Sequence, residues 1–292
     1  MSDTDQKRRI RHVINTVGPN APDRLLIPQR LTLDSIERAR SITDPKISVD
    51  VVSVSFPDEL TPRPWLTRGP DLQRSVLDLG DFPDAPALPL LADLLAAFGS
   101  DDDWDIGIFT NLDIAVQPLF YELVAEIADE GYDAFTINRR TVDPMSSDAG
   151  LARIGAQSGG PHPGHDCFVF TPAVLAQIDV GEIVVGARFI GRALRTNLIL
   201  AAERCHTFTE LHATFHLGDD RSWAGPKAQP LTAHNRDAFH DVLDRLSSRC
   251  GADRVLEVDG VGWFLSNFGR APTTAPSASQ PPMSPTAHNY DS

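Results

Sequence analysis

Short apolar runs alternate along the chain with stretches of helical periodicity, separated by segments rich in Pro, Asp and Gly. Residues 11–17 (RHVINTV) predict a first strand. In residues 28–42 (PQRLTLDSIERARSI), Leu33, Ile36 and Ala39 recur at helical spacing, with Thr32 or Asp34 as caps. Residues 48–55 (SVDVVSVS) alternate valine with polar positions and predict a second strand. A β-α-β unit therefore opens the chain, and its default is a right-handed parallel crossover. Residues 57–86 read as an irregular excursion over the sheet, and residues 88–98 (LPLLADLLAAF) as an apolar helix packed on it, followed by an acidic turn at 101–103.

Residues 105–110 (DIGIFT) are the pattern of a buried strand, and the chain looks organised around them. The run breaks into Asn111-Leu112-Asp113. In extended backbone alternate side chains share a face, so Asn111 and Asp113 are expected to point the same way. They do so at the carboxyl end of the strand, where open α/β sheets bind ligands.

Beyond this point the pattern predicts a helix over 118–130 with Pro118 in its first turn, and a strand over 132–138 ending in Arg139-Arg140. A Gly/Pro/Ser-rich loop covers 143–163, longer than an ordinary connection. Gly164-His165-Asp166 opens a strand over 167–170, and Thr171-Pro172 starts a helix. A helix over 189–203 carries Arg192 and Arg195 near its start. A strand over 207–217 ends near His216, and 234–250 is an amphipathic helix. Residues 271–292 lack periodicity and read as a disordered tail. The expected architecture is one α/β domain over 1–270, with a mainly parallel sheet flanked by helices, followed by that tail.

Composition narrows the function. With 292 residues and 41% hydrophobic content, the chain can bury one large core. A net charge of −14 excludes a general nucleic-acid binder, which needs a basic footprint. It leaves room for an anionic ligand held by a few local arginines. No apolar run approaches the ~20 residues that span a bilayer, and the charged start MSDTDQKRRIRH is followed by no apolar signal segment. Cys167, Cys205 and Cys250 lack CxxC spacing and read as reduced thiols, which points to the cytoplasm.

The candidate chemistry gathers at four places. Asn111 and Asp113 read either as a plain turn or as oxygen ligands for Mn2+ or Mg2+, with a diphosphate completing the shell. Arg139, Arg140, Arg192 and Arg195 read as solvated charges or as anion ligands. Two of them end a strand, and two stand in the first turn of a helix, where the backbone favours anions. From the residues alone, Asp166 reads as a cap on local amides, and His216, with Asp219 and Asp220 just beyond it, as a polar strand end.

The stretch IFTNLDI resembles the Asn-x-Asp form of the DxD motif of GT-A glycosyltransferases. With GHDCFVF and IGRALRTNL downstream, the chain from about residue 10 to 220 is similar to a group of bacterial GT-A-like proteins. The resemblance implies a GT-A-like nucleotide-sugar-binding domain, usually with a divalent metal bridging the diphosphate. It implies Asp113 and His216 as metal ligands, with Asn111, Arg139, Arg192 and Asn197 on the donor. Asp166 is the implied catalytic carboxylate, acting on an acceptor hydroxyl. One departure stands out: where related sequences carry Trp-Asp-Asn, this chain has Arg195-Thr196-Asn197. The expected function is a metal-dependent glycosyltransferase, with a non-catalytic nucleotide-sugar binder as first rival. The second rival, a nucleotidyltransferase, lacks its Gly-rich basic loop, because VGPNAPDR after the first strand offers one Gly and one Arg.

Overall fold

The computed structural model describes residues 7–59, 61–99, 103–143, 150–218 and 225–269. Its first unit is β1 (Arg8–Asn15), α1 (Asp23–Ile42) and β2 (Ile47–Val54), with β1 and β2 parallel and in register from Arg8 opposite Ile47. The irregular stretch that follows holds only β3 (Thr67–Arg68) and a single 3-10 turn at Val76–Asp78, before α2 (Leu91–Ala96). Then come β4 (Ile106–Thr110), β5 (Ala115–Val116), α3 (Phe120–Asp129), β6 (Ala134–Val142) and α4 (Leu151–Gly155). The second half carries β7 (Gly160–Phe170), α5 (Pro172–Leu175), α6 (Ile190–Ala201), β8 (Cys205–Phe208) and β9 (Thr214–Leu217). It ends in α7 (Gln229–Cys250), α8 (Ala252–Leu256) and α9 (Val261–Asn267).

One sheet takes all of these strands in the order β3-β2-β1-β4-β7-β6-β9-β5, with β8 also paired to β6. It is mostly parallel: β7 runs against β4 and β6, and β5 against β9. Helices cover both faces. Ile106, Ile108, Cys167 and Val169 pack toward α1 and α3, whereas Phe109, Phe168 and Phe170 pack toward α2 and α6 to α9. This is the alternation of a strand buried on both sides. Gly107 is the exception that allows it. A Cβ there would come 2.8–3.0 Å from the rings of Phe170, Trp104 and Phe98.

Several sequence expectations shift. The first helix begins at Asp23, so Pro28 lies inside it, and Thr32 and Asp34 are interior residues and not caps. Tertiary contacts explain why: Thr32 is fully buried, and Asp34 pairs with Arg63 at 2.9 Å. The strand expected over 132–138 continues to Val142, and the one expected over 167–170 starts at Gly160, because the two pair along most of their length. The single strand expected over 207–217 is two strands, which pair with successive halves of β6. Helices α8 and α9 were not anticipated. The acidic turn at 101–103 lies mostly outside the described residues, as do Asp219, Asp220 and the tail over 271–292. No described helix is long and apolar enough to cross a membrane.

His12 in β1 ties the layers together. Its ring nitrogens meet the Tyr121 hydroxyl at 3.0 Å and the Thr110 hydroxyl at 2.9 Å. A neutral imidazole satisfies both, donating to one and accepting from the other. Burial pushes its pKa down to about 3. The unfolded chain takes up this proton near pH 6.5, so below that pH the unfolded state binds more protons and stability falls. Urea titrations should show wild type losing ~1.4 kcal/mol per pH unit more than His12→Gln between about pH 6.5 and about pH 3. Equal slopes for the two proteins would place the proton-linked loss elsewhere.

Candidate functional site

The carboxyl ends of β1, β4, β6 and β9 share one edge of the sheet, and β7, running the other way, starts there. From β1 the chain moves outward to β2, then returns to the opposite side of β1 as β4. A crevice outside such a reversal is where α/β sheets bind ligands. A cleft of about 1300 Å³ opens at this edge, and Asn111, Asp113, Arg139, Asp166, Arg192 and His216 all line it.

The turn after β4 differs from the extended conformation that the sequence suggests. The Ile114 amide donates to the Asn111 carbonyl at 3.2 Å, so residues 111–114 fold back on themselves. Asn111 and Asp113 consequently reach different partners. The Asn111 amide stands 3.5 Å from Asp166 Oδ1, whereas Asp113 Oδ2 meets His216 Nε2 at 3.1 Å.

His216 near the end of β9 is oriented by its other nitrogen, since Nδ1–H donates to the Gly218 carbonyl at 2.8 Å. Burial works against its charge, but the hydrogen bond and charge of Asp113 outweigh it and raise the pKa. Burial likewise opposes the charge of Asp113, and His216 and Arg139 overcome it, leaving the carboxyl below its ordinary value. Within this pair Asp113 Oδ1 is buried without a hydrogen-bond partner. A carbonyl behind Nδ1 is also the support that metal-bound imidazoles use. Among the described residues no three His, Cys, Asp or Glu side chains converge as a metal cluster. Among the described residues Asp113 and His216 stand as a pair, and a pair of this chemistry suits an ion that takes the rest of its shell from phosphate oxygens.

Asp166 owes its position to an irregular pairing. Where β6 steps from Ile137 to Asn138, β7 steps from Cys167 to His165, so Asp166 has no opposite residue. Such bulges re-aim side chains beside functional sites. Asp166 accepts from Arg139 Nη1 at 3.0 Å, and both side chains are largely buried. Arg139 Nη2 also stands 3.3 Å from His162 Nε2, and Arg139 Nε is buried without a partner. Burial raises the Asp166 pKa, with Arg139 pulling the other way. His162 was not anticipated. The signal was faint: a His four residues before Asp166, inside a Gly/Pro-rich stretch.

Gly191 lets α6 sit directly on β7, since a Cβ would come 2.6 Å from the His165 carbonyl oxygen. This seats Arg192 and Arg195 in the cleft wall together with Trp263, which the sequence did not single out. Asn197 is not brought to the cleft. It is fully buried, and its amide bonds the backbone of Asp179 and Ala193. Arg140 turns toward the carbonyls of Ser158 and Gly159.

No family profile and no curated protein matches this chain. Among solved structures, S. aureus TarS 1-349 in complex with UDP-GlcNAc is similar over 86% of this chain and 67% of that one, at 11% identity and a TM-score of 0.48. The chain spans 39% of TarS itself, at a TM-score of 0.44 and 9% identity. A protein described as a nucleotide-diphospho-sugar transferase from Desulfovibrio desulfuricans is similar over 83% of this chain and 99% of that one. Its identity is 12% and its TM-score 0.37.

The buried Arg139–Asp166 pair makes a direct stability test. Arg139→Gln strands a buried carboxylate and should lower the unfolding free energy at neutral pH by roughly 3–5 kcal/mol. Adding Asp166→Asn should restore most of that loss. A double variant no more stable than Arg139→Gln alone would show that Arg139 acts through packing.

Proposed function

We propose that this protein is a metal-dependent glycosyltransferase, moving a sugar from a nucleotide-sugar donor to an acceptor hydroxyl. One observation carries the reading. Asp113 and Arg139 line the same cleft with opposite charges, and each keeps one buried side-chain atom, Oδ1 and Nε, without a hydrogen-bond partner. A divalent ion bound to a diphosphate presents both in one ligand. The described residues fit this division: Asp113 and His216 would hold Mn2+ or Mg2+, and Asn111 lies against Asp166. The ion would offset the charge of the departing nucleoside diphosphate.

The remaining chemistry belongs to the chain's own side chains. Asp166 is the general base: it takes the acceptor hydroxyl proton while that oxygen bonds to the anomeric carbon and the bond to the diphosphate breaks. Its raised pKa suits a base that must hold a proton. Arg139 orients Asp166 and shares the charge that develops on the leaving group. A second reading, a nucleotide-sugar binder without turnover, draws on α6. Thr196 is buried there, and no carboxylate stands in the Arg195-Thr196-Asn197 segment.

A thermal-shift panel of UDP-, GDP-, ADP- and TDP-sugars, with and without manganese, should raise the melting temperature for one donor when the metal is present. A folded protein that responds to none of them refutes donor binding. With a nucleoside diphosphate present, calorimetric manganese titration should show Asp113→Asn weakening metal binding more than His216→Ala does, because the charge is what draws a hard cation. The reverse order would misplace the metal. Asp166→Asn should keep donor affinity and lose turnover by ~10²–10⁴-fold. Loss of both together would make Asp166 a donor-holding residue.

A further inference from the structure

His165 and Asp166 are consecutive residues of β7, and both line the cleft. Regular extended backbone would send their side chains to opposite faces. The pairing of β6 with β7 prevents this. His165 stands opposite Asn138, and the register shifts on either side of Asn138. The bulge thereby brings a second polar side chain to the wall that carries Asp166. Helix α6 packs on the same residue at Gly191, where a Cβ would come 3.4 Å from His165 Cβ.

The proton on His165 is placed by its neighbour. Asn138 is buried, and its amide nitrogen donates to the His162 carbonyl at 3.2 Å. That bond settles which way the amide faces, since the reverse would set one oxygen against another. Asn138 Oδ1 therefore meets His165 Nδ1, at 3.1 Å, and an amide oxygen only accepts. Nδ1 must carry the proton. Burial first, and then Arg195 and Arg192, hold the His165 pKa down to about 4, so at neutral pH the ring has this one proton. Among the described residues the hydrogen bonding of the side chain ends at Asn138, and Nε2 keeps its lone pair. A lone pair of this kind repels phosphate oxygens and attracts the proton of a hydroxyl.

We infer that His165 Nε2 accepts a hydrogen bond from a hydroxyl of the donor's sugar and so helps to select that sugar. The inference rests on the glycosyltransferase reading of the cleft. Under that reading Asp166 takes the acceptor hydroxyl, whose oxygen attacks the anomeric carbon, so the sugar ring must lie against the wall at Asp166. His165 is the adjacent side chain on that wall. Its partner Asn138 precedes Arg139, which shares the charge of the leaving group, so the ring has His165 within its span. A site built to pair with a hydroxyl rejects a ligand without one, because the acceptor atom is then left unpaired. Asp166 remains the base, and His165 determines specificity.

Nitrogen NMR of the ligand-free chain tests the premise. The His165 resonances, identified by their loss in His165→Gln, should show Nδ1 protonated and Nε2 bare at neutral pH. A proton on Nε2 would overturn the inference. Calorimetry with manganese then compares UDP-, GDP-, ADP- and TDP-glucose with the corresponding bare diphosphates. His165→Leu should weaken binding of the glucose-bearing nucleotide roughly 3–10-fold and leave that of its diphosphate unchanged. His165→Gln, whose amide oxygen can reach the place of Nε2, should keep most of the affinity. Equal weakening of both ligands in variants that melt as wild type would make His165 part of the frame, and no weakening would leave its lone pair unused. Either result overturns this inference alone. A folded wild-type chain that binds none of the diphosphates overturns the donor reading, and the sugar contact with it.

Discussion

Arg139 and Asp166 can be buried only because they meet. Either charge alone at this depth would carry a desolvation penalty of several kcal/mol. Their meeting depends on the pairing of β6 with β7. Because β7 runs against its neighbours, its first half lies at the edge where β4, β6 and β9 end. The bulge at Asp166 breaks the regular alternation where a carboxylate is wanted beside Arg139. Lose that pairing and the cleft loses the Arg139–Asp166 pair and the backbone on which α6 sits.

The cleft departs from the acidic character of the whole chain. The protein carries a net charge of −14, whereas Arg24, Arg139, Arg188, Arg192, Arg195 and Lys227 line this depression beside only five aspartates, so basic and acidic groups nearly balance there. The Asp113–His216 pair completes this pattern. With its proton in place it is an ion pair, and without that proton it is two ligands facing one another across 3.1 Å. A metal ion held by these atoms would compete with that proton.

Local patterning made the frame legible. The run IGIFT announced a strand buried on both faces, and valine alternation announced β2, because both signals depend on near neighbours in the chain. The edge at which Asn111, Asp113, Arg139 and Asp166 gather followed from strand ends. What escaped depends on distant partners. Nothing local in GPHPGHD reveals a strand, since its Gly and Pro residues are tolerated only through pairing with β6 and through bulges. Pro28 sits inside α1, although local rules end a helix there. Asn197 stood as a donor ligand through the resemblance alone, but a burial that only the fold defines turned it to the Asp179 backbone.

Two carboxylates at this edge are pushed in opposite directions by their surroundings, and that separates their roles. Asp113 lies against the imidazole of His216, which with Arg139 outweighs burial and holds its carboxyl below the ordinary value, so it is a poor proton acceptor. Asp166 has Arg139 on one side, but burial and the charge of Asp113 push its pKa up, so it can take and hold a proton. Paired groups with diverging pKa values are how one site divides acid–base work from electrostatic work. Asp259 is no substitute, because its carboxylate stands 92% exposed beside Arg195. The Arg195-Thr196-Asn197 segment of α6 contributes no acid at all. If this cleft carries out transfer, the proton leaves the acceptor through β7, at Asp166, which the register of β6 and β7 leaves without an opposite residue.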